Sequence, residues 1–181
     1  MRKDFLELVE YTVSRDMGVM INTNGWFVDA DMANRLKEIG VFHVRVSIDG
    51  ATANIHDSIR GGKGSFDRAV RAVEHLKNAD IPLVSIAPTI MQENIHEIGE
   101  LIDLASRLEV SEIQLVQMTD TGRGKKENII TYDDVLMLKT LVDDKKQLYP
   151  QMRISASEGI STDKPFKEEV RLGDISPRIM G

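Results

Sequence analysis

Apolar residues recur at a helical spacing of three to four in some stretches of the chain and alternate with polar ones in others, and the two patterns take turns. Phe5, Leu6, Val9 and Val13 predict a helix over about Asp4 to Arg15. A short apolar run from Gly18 to Ile21 then predicts a strand that ends at Asn22-Thr23-Asn24-Gly25. Met32, Leu36 and Ile39 predict a helix over about Asp29 to Ile39, with Gly40 placed to end it. HVRVSI follows as a strand. Ser65 stands where the N-cap is expected for a helix carrying Phe66, Val70, Val73 and Leu76, and Pro82 to Ile90 reads as the next strand. A helix from about Ile95 to Leu108, the strand EIQLVQM and a long helix from about Tyr132 to Leu148 complete the order.

Helices and strands joined by short connections specify α/β architecture: alternating βα units on a four- to five-stranded parallel sheet. Four clear strands are too few for a closed eight-stranded barrel, which takes about 250 residues. From about Met152 the character changes. RISASEGIS can supply one more strand and loop, whereas KPFKEEVRLGDISPRIMG has weak periodicity and two prolines. The expected division is therefore a domain over 1–150 and a loosely held tail over 151–181.

A parallel strand covered by helices on both faces reads as a continuous apolar run. HVRVSID does not: Val44, Val46 and Ile48 share one face, and His43, Arg45, Ser47 and Asp49 share the other. LVSIAPT likewise sets Ser85, Ala87 and Thr89 on one side. Helices are expected on one face only, with a polar concavity on the other. Ligands in such sheets bind beyond the carboxyl ends of the strands. The strand ends to watch are Thr23-Asn24-Gly25, Ser47-Ile48-Asp49-Gly50, Pro88-Thr89 and Met118-Thr119-Asp120.

Composition narrows the function classes. A net charge of -6 argues against nucleic acid, because phosphate binding needs concentrated Lys and Arg, and only Lys125-Lys126 and Lys145-Lys146 are paired. No apolar run reaches membrane-spanning length, and the first residues, MRKDFLELVE, do not read as a signal peptide, so a cytoplasmic location and no membrane partner are expected. The chain has no cysteine, which excludes disulfides, thiol nucleophiles and Cys-ligated zinc or iron-sulfur sites built from these residues.

The glycines of RGGKGS invite a phosphate-loop reading, but Lys63 is followed by Gly64, so the G-x-x-x-x-G-K-[ST] spacing fails. His56-Asp57 suits a loop-fixing role better than a catalytic pair, because adjacent residues seldom achieve the required geometry. His43, His75 and His96 stand apart from metal-ligand spacing. Arg60 is read as a loop residue after a strand end, where a guanidinium can clamp a carboxylate bidentately or form a surface ion pair. Gly122-Arg123-Gly124 admits the same two readings. Asp133-Asp134 suits the first turn of the last helix, where negative charge complements the helix dipole.

Taken together, INTNGWFVDADMANRLKEIG, VRVSIDGATANIHDSIRGGKGSFDRAVRAVEHLKNADIPL, APTIMQENIHEIGELIDLA and IQLVQMTDTGRGK resemble the radical S-adenosylmethionine (radical SAM) enzymes. The likeness is to the branch of coenzyme PQQ synthesis proteins, peptide-modifying maturases and sulfatase maturases, which often carry a Cys-rich SPASM extension. It runs over roughly Arg2 to Lys125, and the combination TNG, S-I-D-G, H-D-x-x-R and G-S-F is specific. The resemblance implies a partial (βα)6 TIM-like barrel. It implies that Ser47 and Arg60 contact the amino-acid end of SAM, that Asp49 shapes the turn, and that Thr23 and Asn24 close the preceding strand near the same cofactor. It also implies that Val116, Gln117 and Met118 approach the adenine.

Members of this family hold a 4Fe-4S cluster on C-x-x-x-C-x-x-C, and no such motif is present. The sequence therefore resembles the middle of such an enzyme, βα units three to six, and the tail would lead towards the Cys-rich extension. In a complete enzyme the cluster would cleave SAM to a 5'-deoxyadenosyl radical that abstracts hydrogen from a peptide or small molecule. The chain alone is expected to be inactive. The alternative is a non-catalytic βα module that binds a small anion or a partner protein at its strand ends. An exposed sheet edge beside Gly18 to Ile21 would also permit a homodimer.

Overall fold

The computed structural model describes residues 2–119, 126–157 and 160. Its elements run α1 (Phe5–Val13), β1 (Met20–Thr23), α2 (Ala30–Ile39), β2 (His43–Val46), α3 (Ala53–Arg60), α4 (Ser65–Asn78), β3 (Leu83–Ile86), β4 (Thr89–Ile90), α5 (Ile98–Arg107), β5 (Glu112–Gln117), α6 (Tyr132–Leu148) and β6 (Arg153–Ala156). All strand pairs are parallel. β1 lies beside β2, β2 beside β3, and β5 pairs with β3, β4 and β6. Ser85 aligns with Glu112, and Thr89 aligns with Val116 at the same offset. β3 and β4 are thus one line of backbone interrupted at Ala87-Pro88, and the sheet is five strands wide. Part of the tail belongs to this sheet, since Ile154 aligns with Ile113 and is buried.

The alternation of the sequence explains the layering. Val44, Val46, Ile48, Val84, Ile86, Ile113, Leu115 and Ile154 are all buried, and they form one core with Leu36, Val73, Leu76, Leu101, Ile102, Leu138 and Val142 of the helices. The opposite face carries, in register across five strands, Asn22, Arg45, Ser85, Glu112 and Arg153. The two faces differ because consecutive strand residues point to opposite sides.

Three local expectations are corrected. Arg60 is not in a loop; it is the last residue of α3, which Thr52 caps by accepting from Ile55 N–H and which Gly61 ends at a φ of 67°. Ser65 is not the N-cap of α4; Gly64 holds that position at a φ of 81°. The capping acceptor comes from Asp57 instead, which takes hydrogen bonds from Gly64 N (2.6 Å), Ser65 Oγ (2.7 Å) and Phe66 N (2.8 Å). A carboxylate anchored in one helix can neutralise the free N–H groups at the start of the next, which is the form that the loop-fixing role expected of His56-Asp57 takes. The strand expected over Pro82 to Ile90 is interrupted at Ala87-Pro88, where proline has no N–H for the ladder, and just beyond it Thr89 N–H donates to the Asp49 carboxylate.

α6 follows its sequence closely. Thr131 and Asp134 form a reciprocal capping box, in which Asp134 N donates to Thr131 Oγ1 and Thr131 N donates to Asp134 Oδ2. Among the described residues no helix is long and apolar enough to cross a membrane.

Candidate functional site

The site forms where β2 ends. Ser47 N–H donates to Thr23 O, which prolongs the β1–β2 ladder by one bond, and Ile48 turns into the core. The chain then turns back at Asp49-Gly50 to enter α3. Gly50 is required there, because a Cβ would lie 2.8 Å from His56 N and 3.0 Å from Ile55 Cβ. Gly25 of the TNG turn is similarly confined. Its φ is 78°, and a Cβ would meet Ala69 Cα at 2.9 Å.

Asp49 is the centre of this turn and is 2% exposed. Its Oδ1 accepts from Thr89 N at 2.8 Å, and its Oδ2 pairs with Arg60 Nε at 2.5 Å. Its own N–H donates to His56 Nδ1 at 3.0 Å, and its carbonyl accepts from Asn94 Nδ2 at 2.7 Å. His56 therefore accepts at Nδ1 and carries its proton on Nε2. Burial holds its pKa below the ordinary histidine range, against the pull of the nearby Asp49 charge. Asn94, fully buried, also donates to Thr89 O and accepts from Met91 N, so one amide ties the ends of β2 and β4 together. Glu97 secures the outer side of the turn by accepting from Ala51 N, Thr52 N and Thr52 Oγ1.

The residues singled out from the sequence occupy different positions around this network. Ser47 lies on the polar face, half-buried, and its hydroxyl has no partner among the described residues. Arg60 is tethered through Nε only; its two terminal nitrogens have no partner among the described residues, and its side chain is 32% exposed. Thr23 aligns with Val46 on the helix side, and its hydroxyl accepts from Gly25 N. Asn24 is exposed at the strand end, with Oδ1 accepting from Trp26 N. Val116 aligns with Thr89 and is exposed, Gln117 aligns with buried Ile90, and Met118 N donates to Ile90 O. Asp120 and Gly122-Arg123-Gly124 lie outside the described residues.

The chemistry follows from these partners. A guanidinium fixed at Nε presents its remaining N–H groups as a planar fork, the shape that binds a carboxylate. Ser47 Oγ adds a donor or acceptor on the same strand end. These groups suit the carboxylate and ammonium of an amino-acid moiety such as that of SAM. The thiolates of a 4Fe-4S cluster are a different matter. The chain has no cysteine, and the described residues contain no cluster of three or more His, Asp or Glu able to hold a metal. The residues present do not fit the cluster.

Sequence reasoning missed Asn94, Glu97 and the dual use of Asp49. Thr89 was visible as a strand end, but nothing in QEN marks Asn94 as a buried bridge. A cavity of about 300 Å³ lies beside β1, lined by Phe5, Ile21, Thr23, Asn24, Phe27 and Met32, so it includes two of the residues singled out from the sequence but not Ser47, Asp49 or Arg60.

Comparison with known proteins places the fold and the motifs in context. The family model for the radical SAM superfamily matches residues 1–105. Mycofactocin maturase MftC of Mycobacterium tuberculosis is 35% identical over 172 residues, covering 95% of this chain and 41% of the relative. The chain thus spans less than half the length of the curated relatives it matches. Streptococcus suis SuiB bound to precursor peptide SuiA superposes with a TM-score of 0.73 at 14% identity, over 86% of this chain and 35% of that one. Native anSMEcpe with bound AdoMet gives a TM-score of 0.65 at 20% identity, over 85% and 44%. The solved structures share the fold, and with the family match to the TNG, S-I-D-G and H-D-x-x-R segments they lead to one conclusion: the chain belongs to the radical SAM superfamily.

Proposed function

We propose that this chain is the SAM-gripping part of a radical SAM enzyme that modifies a peptide. The observation that carries the reading is the Asp49–Arg60 pair, which fixes a cationic fork at the turn that opens two residues after the unpartnered hydroxyl of Ser47. In this reading the outer nitrogens of Arg60 bind the SAM carboxylate, and Ser47 Oγ takes a hydrogen bond from its ammonium. Asp49 acts through Arg60 as a positioning residue. Asn24 flanks the same end of the sheet, and Thr23 holds the turn that places it. Val116 offers an apolar surface to the adenine, with Gln117 and Met118 continuing that strand end. Peptide as the substrate class is supported by the maturase relative and by the SuiB complex with its precursor peptide.

Reductive cleavage of SAM is the chemistry that a 4Fe-4S cluster supplies in this family. Its thiolates must come from outside these 181 residues, so the chain by itself binds SAM without turning it over. The β1 edge, with Met20 open to solvent, is the place where a further strand or a second copy can pair.

Calorimetric titration of the chain with SAM tests the reading. Wild type is expected to bind, and Arg60→Ala to bind roughly tenfold or more weakly, since a charge-assisted hydrogen bond contributes about 1.5–3 kcal/mol. Equal binding by both, or none by wild type, overturns it.

A further inference from the structure

On the polar face of the sheet, deeper than the strand-end turn, two buried side-chain atoms have no hydrogen-bond partner among the described residues: Arg45 Nε and Gln114 Oε1. One is a donor and the other an acceptor. Burying either without a partner is unfavourable, and folds retain such groups where a ligand or water completes them. Their neighbours do not fill the role. Glu112, in the same row as Arg45, accepts from Ser155 Oγ at 2.6 Å and lies 3.6 Å from Arg153, while Ser85 between them is hydrogen-bonded to His43 Nε2 at 2.7 Å. Arg45 therefore keeps a cation in the sheet face with no acidic counterpart within ion-pair distance among the described residues.

Position gives this pair a direction. Arg45 is two residues before Ser47 on the same face, so it lies about 7 Å deeper along β2. Gln114 stands on β5, separated from β2 only by β3, about 10 Å across the sheet and, two residues beyond the Glu112 that is level with Arg45, about 7 Å nearer the strand ends, in the row of Ser47. A ligand lying diagonally between them is bracketed by a cationic donor below the hydroxyl assigned to SAM and a carbonyl acceptor level with that hydroxyl. The face is polar but not phosphate-like, with one unpaired arginine and an adjacent glutamate.

We infer that Arg45 and Gln114 form the recognition pair for a peptidyl carboxylate, Arg45 binding the carboxylate and Gln114 accepting from a neighbouring amide N–H of the same substrate residue. This rests on the reading of Ser47 and Arg60 as the SAM grip, which sets the substrate side of the sheet.

NMR of the chain in the presence of saturating SAM separates the two ideas, with N-acetylglycine and its neutral analogue N-acetylglycinamide as probes. N-acetylglycine is expected to shift the Arg45 Nε–H and Gln114 side-chain signals saturably, at least tenfold more tightly than the amide. Arg45→Met should abolish the response, and Arg45→Lys, which keeps the cation, should restore part of it. Gln114→Leu should weaken binding severalfold. A failure of the SAM reading appears separately, as SAM leaving the Ser47 and Arg60 signals unmoved. Equal response to acid and amide, wild-type binding by Arg45→Met, or no response from Arg45 would overturn the inference and leave water as the partner of both atoms.

Discussion

Asp49 Oδ2 holds Arg60 Nε at 2.5 Å while Asp49 Oδ1 holds Thr89 N at 2.8 Å, so a single buried carboxylate joins the end of α3 to the start of β4. The arginine is thereby aimed by the sheet and not by its own helix. Fixing it in advance spares a SAM carboxylate the cost of ordering a long side chain.

Asp49→Asn retains an acceptor for Thr89 N–H but removes the charge that tethers Arg60. SAM affinity is expected to fall roughly tenfold, equivalent to about 1.4 kcal/mol. Calorimetry on the variant checks this, and unchanged affinity would mean that Arg60 needs no tether.

Gly50→Ala forces a Cβ to within 2.8 Å of the backbone nitrogen of His56, whereas a Cβ on Gly62 meets nothing within 4 Å. The first substitution is expected to destabilise by about 1–3 kcal/mol, as overpacking does, and Gly62→Ala to stay within about 0.5 kcal/mol of wild type. Urea denaturation midpoints compare the two directly.

Asn94→Leu strands a buried N–H of Met91 and the carbonyls of Asp49 and Thr89. A loss of about 3 kcal/mol is expected, from the cost of unsatisfied buried groups. Because the same amide aligns the ends of β2 and β4, SAM binding should weaken in the folded fraction. A variant as stable as wild type would show that water replaces the amide.

His56 is buried, accepts a hydrogen bond at Nδ1, and has its pKa held down by burial. Its unfolded form titrates near pH 6.5, so between that value and the lower folded one the unfolded chain binds more protons. Stability is then greatest above about pH 6.5 and declines as the pH falls through this window. His56→Asn, which can still accept from Asp49 N–H, should flatten the decline. The remaining slope comes from His43, also held low by burial with Arg45 adding to it. Identical pH profiles for variant and wild type in denaturant titrations would remove His56 from this role.

Much of the architecture was legible in the order of residues. Helical and alternating spacing located the helices over 30–39 and 132–148 and the strands around 43–46 and 112–117, because each element buries one face and its period records which. The polar face was readable from HVRVSID for the same reason. Arg60 was misplaced in a loop because HDSIR sits between glycines and its apolar residues are few, so periodicity is silent there. The capping of α4 by Asp57 and the bridge made by Asn94 join residues whose chemistry is ordinary until the backbone brings them together.

The sequence by itself determined the βα order, the division of the sheet into an apolar and a polar face, the absence of cluster thiolates and the likeness to radical SAM enzymes through TNG, S-I-D-G and H-D-x-x-R. The first three follow from local periodicity and composition, and the last is a resemblance carried by those motifs. Only the tertiary structure decided that Asp49 aims Arg60, that Asn94 ties β2 to β4, and that Arg45 and Gln114 remain unpartnered on one face. Such pairings depend on register between strands distant in sequence, and register is fixed by packing the whole apolar face at once.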